Sequence, residues 1–171
     1  MPRKRSIGFI LLGTALLAGC MATPEERVSE GFSNARDAFE QEPMKTNEAT
    51  DGRKLYLPAG YTIEEPSDEH NIILTKGSDS FVLFINPNEE SDSTFFYDLQ
   101  KANPEQQWMV DETFEQNGRF GFTTVRLIAE DRYEIVESVG GVKMTTISEE
   151  SKIDDNMDWM MKTIRSINTD E

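Results

Sequence analysis

Apolar residues near the start of the folded part recur at helical spacing. Thr23-Pro24-Glu25-Glu26 supplies a capping hydroxyl, a proline at the first helical position and a glutamate that completes a capping box. Four apolar residues then follow on one stripe before Pro43: Val28, Phe32, Ala35 and Phe39. This pattern predicts a helix that ends before Pro43 and packs its stripe on the rest of the domain.

Beyond a polar connector from Met44 to Arg53, the spacing changes to the alternation of strands. Residues 54–65 predict two short strands around a Pro-Ala-Gly turn, and residues 71–75 and 80–86 predict two more. Both sets of alternating positions are apolar in residues 80–86, so we expect a central strand covered on both faces. Residues 93–102 predict a short helix.

Four further strands are predicted in close succession, at residues 107–116, 119–128, 132–139 and 142–148. Asn117-Gly118 is a hairpin signal, and connections this short predict an antiparallel meander. A final helix is predicted from Asp154 to Ile167, with a buried stripe of Ile153, Met157, Met160, Ile164 and Ile167. The predicted class is α+β: an antiparallel sheet of about six or seven strands with an N-terminal, a short middle and a C-terminal helix packed on it.

The order of these features resembles the PsbP-like fold, a family that includes bacterial lipoproteins related to DcrB. The markers are "LPAGY" at residues 57–61, a helix after the first strands, a long meander and the closing "WMMKTIRSI" helix at residues 159–167. The resemblance spans about residues 50–167 and implies a fold. It carries over no catalytic or binding residues.

The segment before Thr23 has the parts of an export signal: a basic start, an apolar run from Ile7 and a small-residue exit. The stretch from Ile7 to Ala22 has only 16 residues, whereas a bilayer span needs about 20. Leu17-Ala18-Gly19-Cys20 resembles the lipobox of bacterial lipoproteins. The resemblance implies cleavage after Gly19, diacylglyceryl attachment to the Cys20 thiol and a lipid anchor on the extracytoplasmic face of a bacterial membrane.

Two readings of the leader stay open beside the lipoprotein: a secretory signal with an incidental thiol, and an uncleaved anchor. The predicted organisation is a cleaved signal at residues 1–19, the lipidated cysteine and N-terminal helix at residues 20–43, and one α+β domain at residues 44–171. Cys20 is the only cysteine, so no disulfide stabilises the domain.

Charge excludes one class of partner. The chain has 17 Lys and Arg, three of them in residues 1–19, and 32 Asp and Glu, none of them there, so residues 20–171 carry a net charge of −18. Such a surface repels phosphate backbones and anionic lipid headgroups. We therefore predict no nucleic-acid partner, and a membrane contact through the acyl chains on Cys20 rather than through the protein surface.

No catalytic set, metal site or cofactor is predicted from motifs. The single histidine, His70, follows three polar residues and fits a surface loop better than a catalytic base. The run "DDNMDWM" at residues 154–160 begins like a calcium loop, but Trp159 and Arg165 occupy its glycine and glutamate positions. A second acidic run, residues 86–93, fits an exposed turn better than a weak cation site.

Three consecutive aromatics, Phe95, Phe96 and Tyr97, cannot all face one core from a helix, so at least one should be exposed. We predict this patch as a partner-binding surface, with ordinary core packing as the alternative. The function predicted overall is a non-catalytic binding or assembly module of the cell envelope, with envelope proteins as the expected partners. Two alternatives stay open: a hydrolase using carboxylates such as Glu64 or Glu65 with Asp68, and a structural part of an envelope or spore-associated assembly.

Overall fold

The computed structural model describes residues 22–50 and 52–168. The helices are α1 (Pro24–Glu40), α2 (Phe95–Lys101) and α3 (Ile153–Ser166), with a 3-10 turn at Glu150–Lys152. The strands are β1 (Glu48–Thr50), β2 (Arg53–Leu55), β3 (Thr62–Glu64), β4 (Asn71–Lys76), β5 (Asp79–Ile85), β6 (Val110–Gln116), β7 (Arg119–Ala129), β8 (Arg132–Val139) and β9 (Val142–Ser148). The predicted α+β class is confirmed.

Seven strands form one antiparallel sheet in the order β3-β4-β5-β9-β8-β7-β6. The last four strands are the predicted meander, and β9 closes it by pairing with β5 in the middle of the sheet. Asn117 and Gly118 join β6 to β7 with φ values of 52° and 70°, the positive φ angles that a tight hairpin turn requires at its centre. The predicted hairpin is therefore confirmed.

A separate ribbon of two short strands corrects one prediction. β1 lies inside the segment predicted to be a polar connector, and it pairs with β2 rather than with the main sheet. The Asn47 side chain stabilises the region because it accepts a hydrogen bond from the Leu57 N–H (2.8 Å) and donates one to the Leu57 carbonyl (2.9 Å). Hydrogen bonds from a side chain to the backbone produce no hydrophobic periodicity, so the sequence pattern does not reveal this ribbon.

One face of the sheet, called here the helix face, carries α1 and α3. The Thr23 hydroxyl accepts from the Glu26 N–H and the Glu26 carboxylate accepts from the Thr23 N–H, so the capping box begins α1 as predicted. Phe39 lies against Gly121 so closely that a Cβ on that glycine would be 2.9 Å from the Phe39 ring. Absence of a side chain at Gly121 therefore lets α1 pack directly on β7. Buried side chains of the helix face include Phe39, Leu83, Ile135, Met144, Met157, Met160 and Ile164.

One carboxyl group lies inside this core. Glu137 points from β8 towards the helices, and its side chain is completely buried. The Thr123 hydroxyl donates to Glu137 Oε1 at 3.0 Å, while Oε2 has no hydrogen-bond partner among the described residues. Burial raises the pKa of Glu137 well above its usual range, and nearby Asp158 raises it further.

Candidate functional site

The other face of the sheet, called here the open face, is covered over only half of its width. Alternation places Val82 and Phe84 of β5 on this face beside Thr145 and Lys143 of β9. α2 covers the Phe84 half: Phe96 packs edge-on against Phe84 at a centroid distance of 5.7 Å. Tyr97 reaches the far strands, with its ring 5.8 Å from Phe120 and 5.4 Å from Phe122.

A lysine crosses the aromatic half of the open face. Lys143 Nζ is 5.0 Å from the centre of the Phe96 ring and 5.9 Å from that of Phe84, within the range of cation–π contacts. Burial lowers the pKa of Lys143, and the charge of Glu134 acts in the opposite direction. The stem of this lysine thus belongs to the packing under α2.

The uncovered half of the open face is an apolar groove. Val82 is 46% exposed and Ile147 is 53% exposed, and the two lie on neighbouring strands with Thr145 beside them. They line a depression of about 510 Å³. We call Val82, Thr145 and Ile147 the sheet groove. Two β-branched aliphatic side chains exposed together on the middle strands of a sheet are unusual unless something covers them.

Four charged side chains line the edge of the sheet groove, and each is held in an ion pair: Asp79, Arg132, Glu134 and Glu149. Arg126 donates to both carboxylate oxygens of Glu134, with Nε–Oε2 at 2.6 Å and Nη2–Oε1 at 3.0 Å. On the other side Lys152 Nζ lies 2.9 Å from the Asp79 carboxylate and 3.2 Å from that of Glu149. Hydrogen bonding to these carboxylates raises the pKa of Arg126 and of Lys152. The rim is therefore made of ion pairs, and its floor is apolar, which is the composition of many protein-binding patches.

The structure separates the three aromatics of the predicted patch. Phe96 is buried, Tyr97 is half-buried, and Phe95 is 41% exposed on the outer side of α2. Leu99 lies one turn further along α2 and is 55% exposed, so it joins Phe95 on the same side of the helix. Burial raises the pKa of Tyr97, with Asp111 as the next cause. Of the three predicted residues, Phe95 has the largest exposed fraction.

The carboxylates named for a hydrolase are each engaged locally. Glu64 accepts from the Thr75 hydroxyl, and Glu65 accepts from the Ser67 N–H. Asp68 accepts from the backbone N–H groups of His70 and Asn71, and these bonds lower the pKa of Asp68. His70 itself is half-buried, with Nδ1 3.7 Å from the Glu69 carboxylate.

The residues that resemble a calcium loop bind different partners and do not converge on one point. Asp154 pairs with Arg27 at 3.4 Å, Asn156 bonds Ser148 and Trp159, and Asp158 pairs with Lys162 at 2.6 Å. Within residues 22–50 and 52–168, no group of three His, Cys, Asp or Glu side chains has an arrangement that would hold a metal ion. In the same two ranges no helix has the length and apolar character needed to cross a membrane. Cys20 and the rest of the lipobox lie outside the described residues.

Comparisons with known proteins give a similarity of fold and no match to a family or a curated sequence. The solution structure of cyanobacterial PsbP (CyanoP) from Synechocystis sp. PCC 6803 is similar in fold, with a TM-score of 0.45 and 12% sequence identity, over 73% of this chain and 91% of that chain. The similarity concerns the fold alone.

Proposed function

We propose that this chain is a lipid-anchored extracytoplasmic module that binds a protein of the cell envelope through the sheet groove. The observation that supports it is the pair of exposed aliphatic side chains, Val82 and Ile147, on a floor rimmed by ion pairs. Phe95 and Leu99 on α2 add a second exposed apolar surface. Binding energy at protein interfaces is concentrated in a few such apolar anchors.

The tether limits how far the domain can move from the membrane. Only Met21 and Ala22 separate Cys20 from the cap residue Thr23, and so short a connector spans on the order of 10 Å when extended. α1 has 17 residues and is therefore about 25 Å long. In this proposal the N-terminal end of α1 lies next to the bilayer, and its C-terminal end projects into the envelope space.

Anchoring is tested by growth with labelled palmitate. We expect the wild type to be labelled and the Cys20→Ala variant to remain unlabelled, because acylation requires the thiol. Equal labelling of both chains would reject the anchor, although it would leave the groove proposal intact.

Binding is tested by complementation of a deletion strain with variants expressed at equal level. The double variant Val82→Asp, Ile147→Asp should fail to restore the phenotype, since two carboxylates would be desolvated by any partner seated on the groove. The matched control is Ser33→Asp on the exposed side of α1, which should restore it fully. A triple variant, Glu64→Gln, Glu65→Gln and Asp68→Asn, should also restore it. If the triple variant folds but does not restore the phenotype, and the groove variant does restore it, the hydrolase is favoured instead.

A further inference from the structure

Two arginines meet at the end of the molecule that lies at the C-terminus of α1. Arg165 is in the last turn of α3, and Arg119 is the first residue of β7 after the tight turn of the hairpin. Both line a groove of about 240 Å³. The groove is separate from the sheet groove, with which it shares no residue.

Arg165 is held in place by backbone carbonyls. Its Nε donates to the Phe39 carbonyl at 3.0 Å and its Nη2 donates to the Gln41 carbonyl at 3.1 Å, where α1 ends. Its guanidinium carbon lies 5.7 Å from the centre of the Phe39 ring. These contacts fix the guanidinium of Arg165, a residue that is 9% exposed, and they leave Nη1 without a hydrogen bond to the described part of the chain.

Neither arginine has an acidic partner in residues 22–50 and 52–168, because no carboxylate oxygen there lies within 4.0 Å of either guanidinium. This is unusual in a chain with 32 acidic and 17 basic side chains. Burial lowers the pKa of Arg165 and the neighbouring charge of Arg119 lowers it further, while the charge of Glu42 acts in the opposite direction. Two cations drawn together in a partly desolvated groove repel each other, and a bound anion would relieve that repulsion.

The structural role of Arg165 does not account for Arg119. The contacts to Phe39 and Gln41 join α1 to α3 whether or not a second cation is present. Arg119 is half-exposed at a strand end, where any polar residue would suit the backbone. Its position beside Arg165 therefore adds positive charge to the groove without a visible gain in packing.

The remaining walls show what the anion should carry. Half of the lining residues are apolar: Pro43, Val139, Val142, Ile164 and Ile167. Val139, Val142 and Ile164 are almost completely buried, so Pro43 and Ile167 offer most of the apolar surface. Ser91 and Ser166 add two hydroxyl groups, and Asn168 adds an amide. A volume of 240 Å³ equals that of about eight waters at roughly 30 Å³ each, which suits a short organic acid and not a polymer. Planar guanidinium groups bind carboxylates through paired hydrogen bonds.

We propose that this arginine groove binds a small aliphatic carboxylic acid, with the carboxylate between Arg119 and Arg165 and the aliphatic part against the apolar walls. The site does not depend on the sheet groove or on the lipid anchor. It gives the module a small-molecule ligand in addition to its protein partner.

The test is a titration of the full-length chain, purified in detergent, with pentanoate as the probe, followed by calorimetry and by amide chemical shifts. Acetate, pentanol and inorganic phosphate are the comparison ligands, since they lack the chain, the charge and the aliphatic part respectively. We expect pentanoate to bind at least tenfold more tightly than each of them. The shifts should be confined to residues around Ser91, Arg119 and Ser166. Acetate or phosphate binding as tightly as pentanoate, or shifts elsewhere, would overturn the proposal.

Arg119→Gln should weaken pentanoate binding at least tenfold, because one of two charged hydrogen-bond donors is lost. Arg36→Gln removes the same charge from the exposed side of α1 and should leave the affinity within twofold. A third variant, Asp170→Asn with Glu171→Gln, neutralises the last two acidic side chains of the sequence, and it too should stay within twofold. An unchanged affinity in Arg119→Gln would overturn the site. A tenfold gain in pentanoate affinity when these two side chains are neutralised would also overturn it, because the groove would then hold the chain's own carboxylates.

Discussion

The two faces of the sheet are built from the same strands but differ in how completely they are covered. On the helix face, Phe81, Leu83 and Ile85 of β5 are fully buried in the core to which α1 and α3 contribute. On the open face of the same strand, Phe84 is covered by α2 but Val82 is exposed. Burial of apolar area stabilises a fold by about 25 cal/mol per Å². The helix face therefore provides most of the stability, and the uncovered half of the open face is available for binding.

The comparison also corrects the prediction for residues 80–86. An apolar pattern on both sides of β5 indicated a central strand covered on both faces. β5 is indeed an interior strand, third in the sheet, but α2 has only seven residues and covers only the Phe84 end. A strand that is apolar on both faces thus predicts a packing contact on each face, and the contact on the second face can be with another molecule.

Truncation of neighbouring residues on β5 separates the two faces most sharply. Leu83→Ala should lower the free energy of unfolding by about 3 kcal/mol, because Leu83 is fully buried and its truncation leaves a cavity in the core. Val82→Ala should change it by less than about 0.5 kcal/mol, as is usual for surface positions. Urea unfolding of the two variants measures the difference. Similar losses for both would mean that the open face is covered in the isolated protein.

The buried carboxyl of the helix face gives a smaller effect that depends on pH. In the native state burial holds the pKa of Glu137 above its usual range, whereas the unfolded chain ionises near pH 4. The native state therefore retains a proton that the unfolded state loses, and stability falls as pH rises above about 4. Glu137→Gln removes this dependence and should make the protein more stable than the wild type at pH 7. Its advantage should shrink towards zero at pH 4. An advantage of the same size at both pH values would show that Glu137 ionises alike in both states.

A substitution in the turn that joins β6 to β7 should lower stability less than Leu83→Ala does and more than Val82→Ala does. Gly118 has a φ of 70°, a conformation that β-branched residues tolerate poorly. Gly118→Val should lower stability by about 1 kcal/mol or more. Gly118→Asn provides the control, since asparagine adopts positive φ more readily, and it should lose less. An unchanged thermal midpoint in the valine variant would show that the hairpin tolerates another turn.

Much of the fold is predictable from periodicity. The α1 stripe, the α3 stripe and the meander each repeat a short pattern several times, and all three are confirmed. The β1–β2 ribbon is missed because a side chain, Asn47, stabilises it. Position in the sheet is also invisible locally: the pairing of β5 with β9 joins residues some 60 positions apart.

The candidate sites are less predictable than the fold. Three adjacent aromatics indicated an exposed patch, but helix geometry turns Phe96 inward and leaves Phe95 with Leu99 outside. Val82 and Ile147 have the same local pattern as core strand residues, so only the incomplete cover by α2 reveals them. Arg119 and Arg165 are 46 positions apart, and nothing in either segment indicates that the two side chains share a groove.

Photocrosslinking in intact cells tests the central claim, binding through the open face, most directly. A photoreactive amino acid is placed at Val82 or Ile147 in the sheet groove, and at Ser33 on the outer side of α1 as the control. We predict one discrete adduct of the same mass from both groove positions, absent at Ser33 and lost when the other groove residue is changed to aspartate. Adducts from Ser33 with none from the groove would contradict the claim and would place the partner on the side of the molecule formed by the helices.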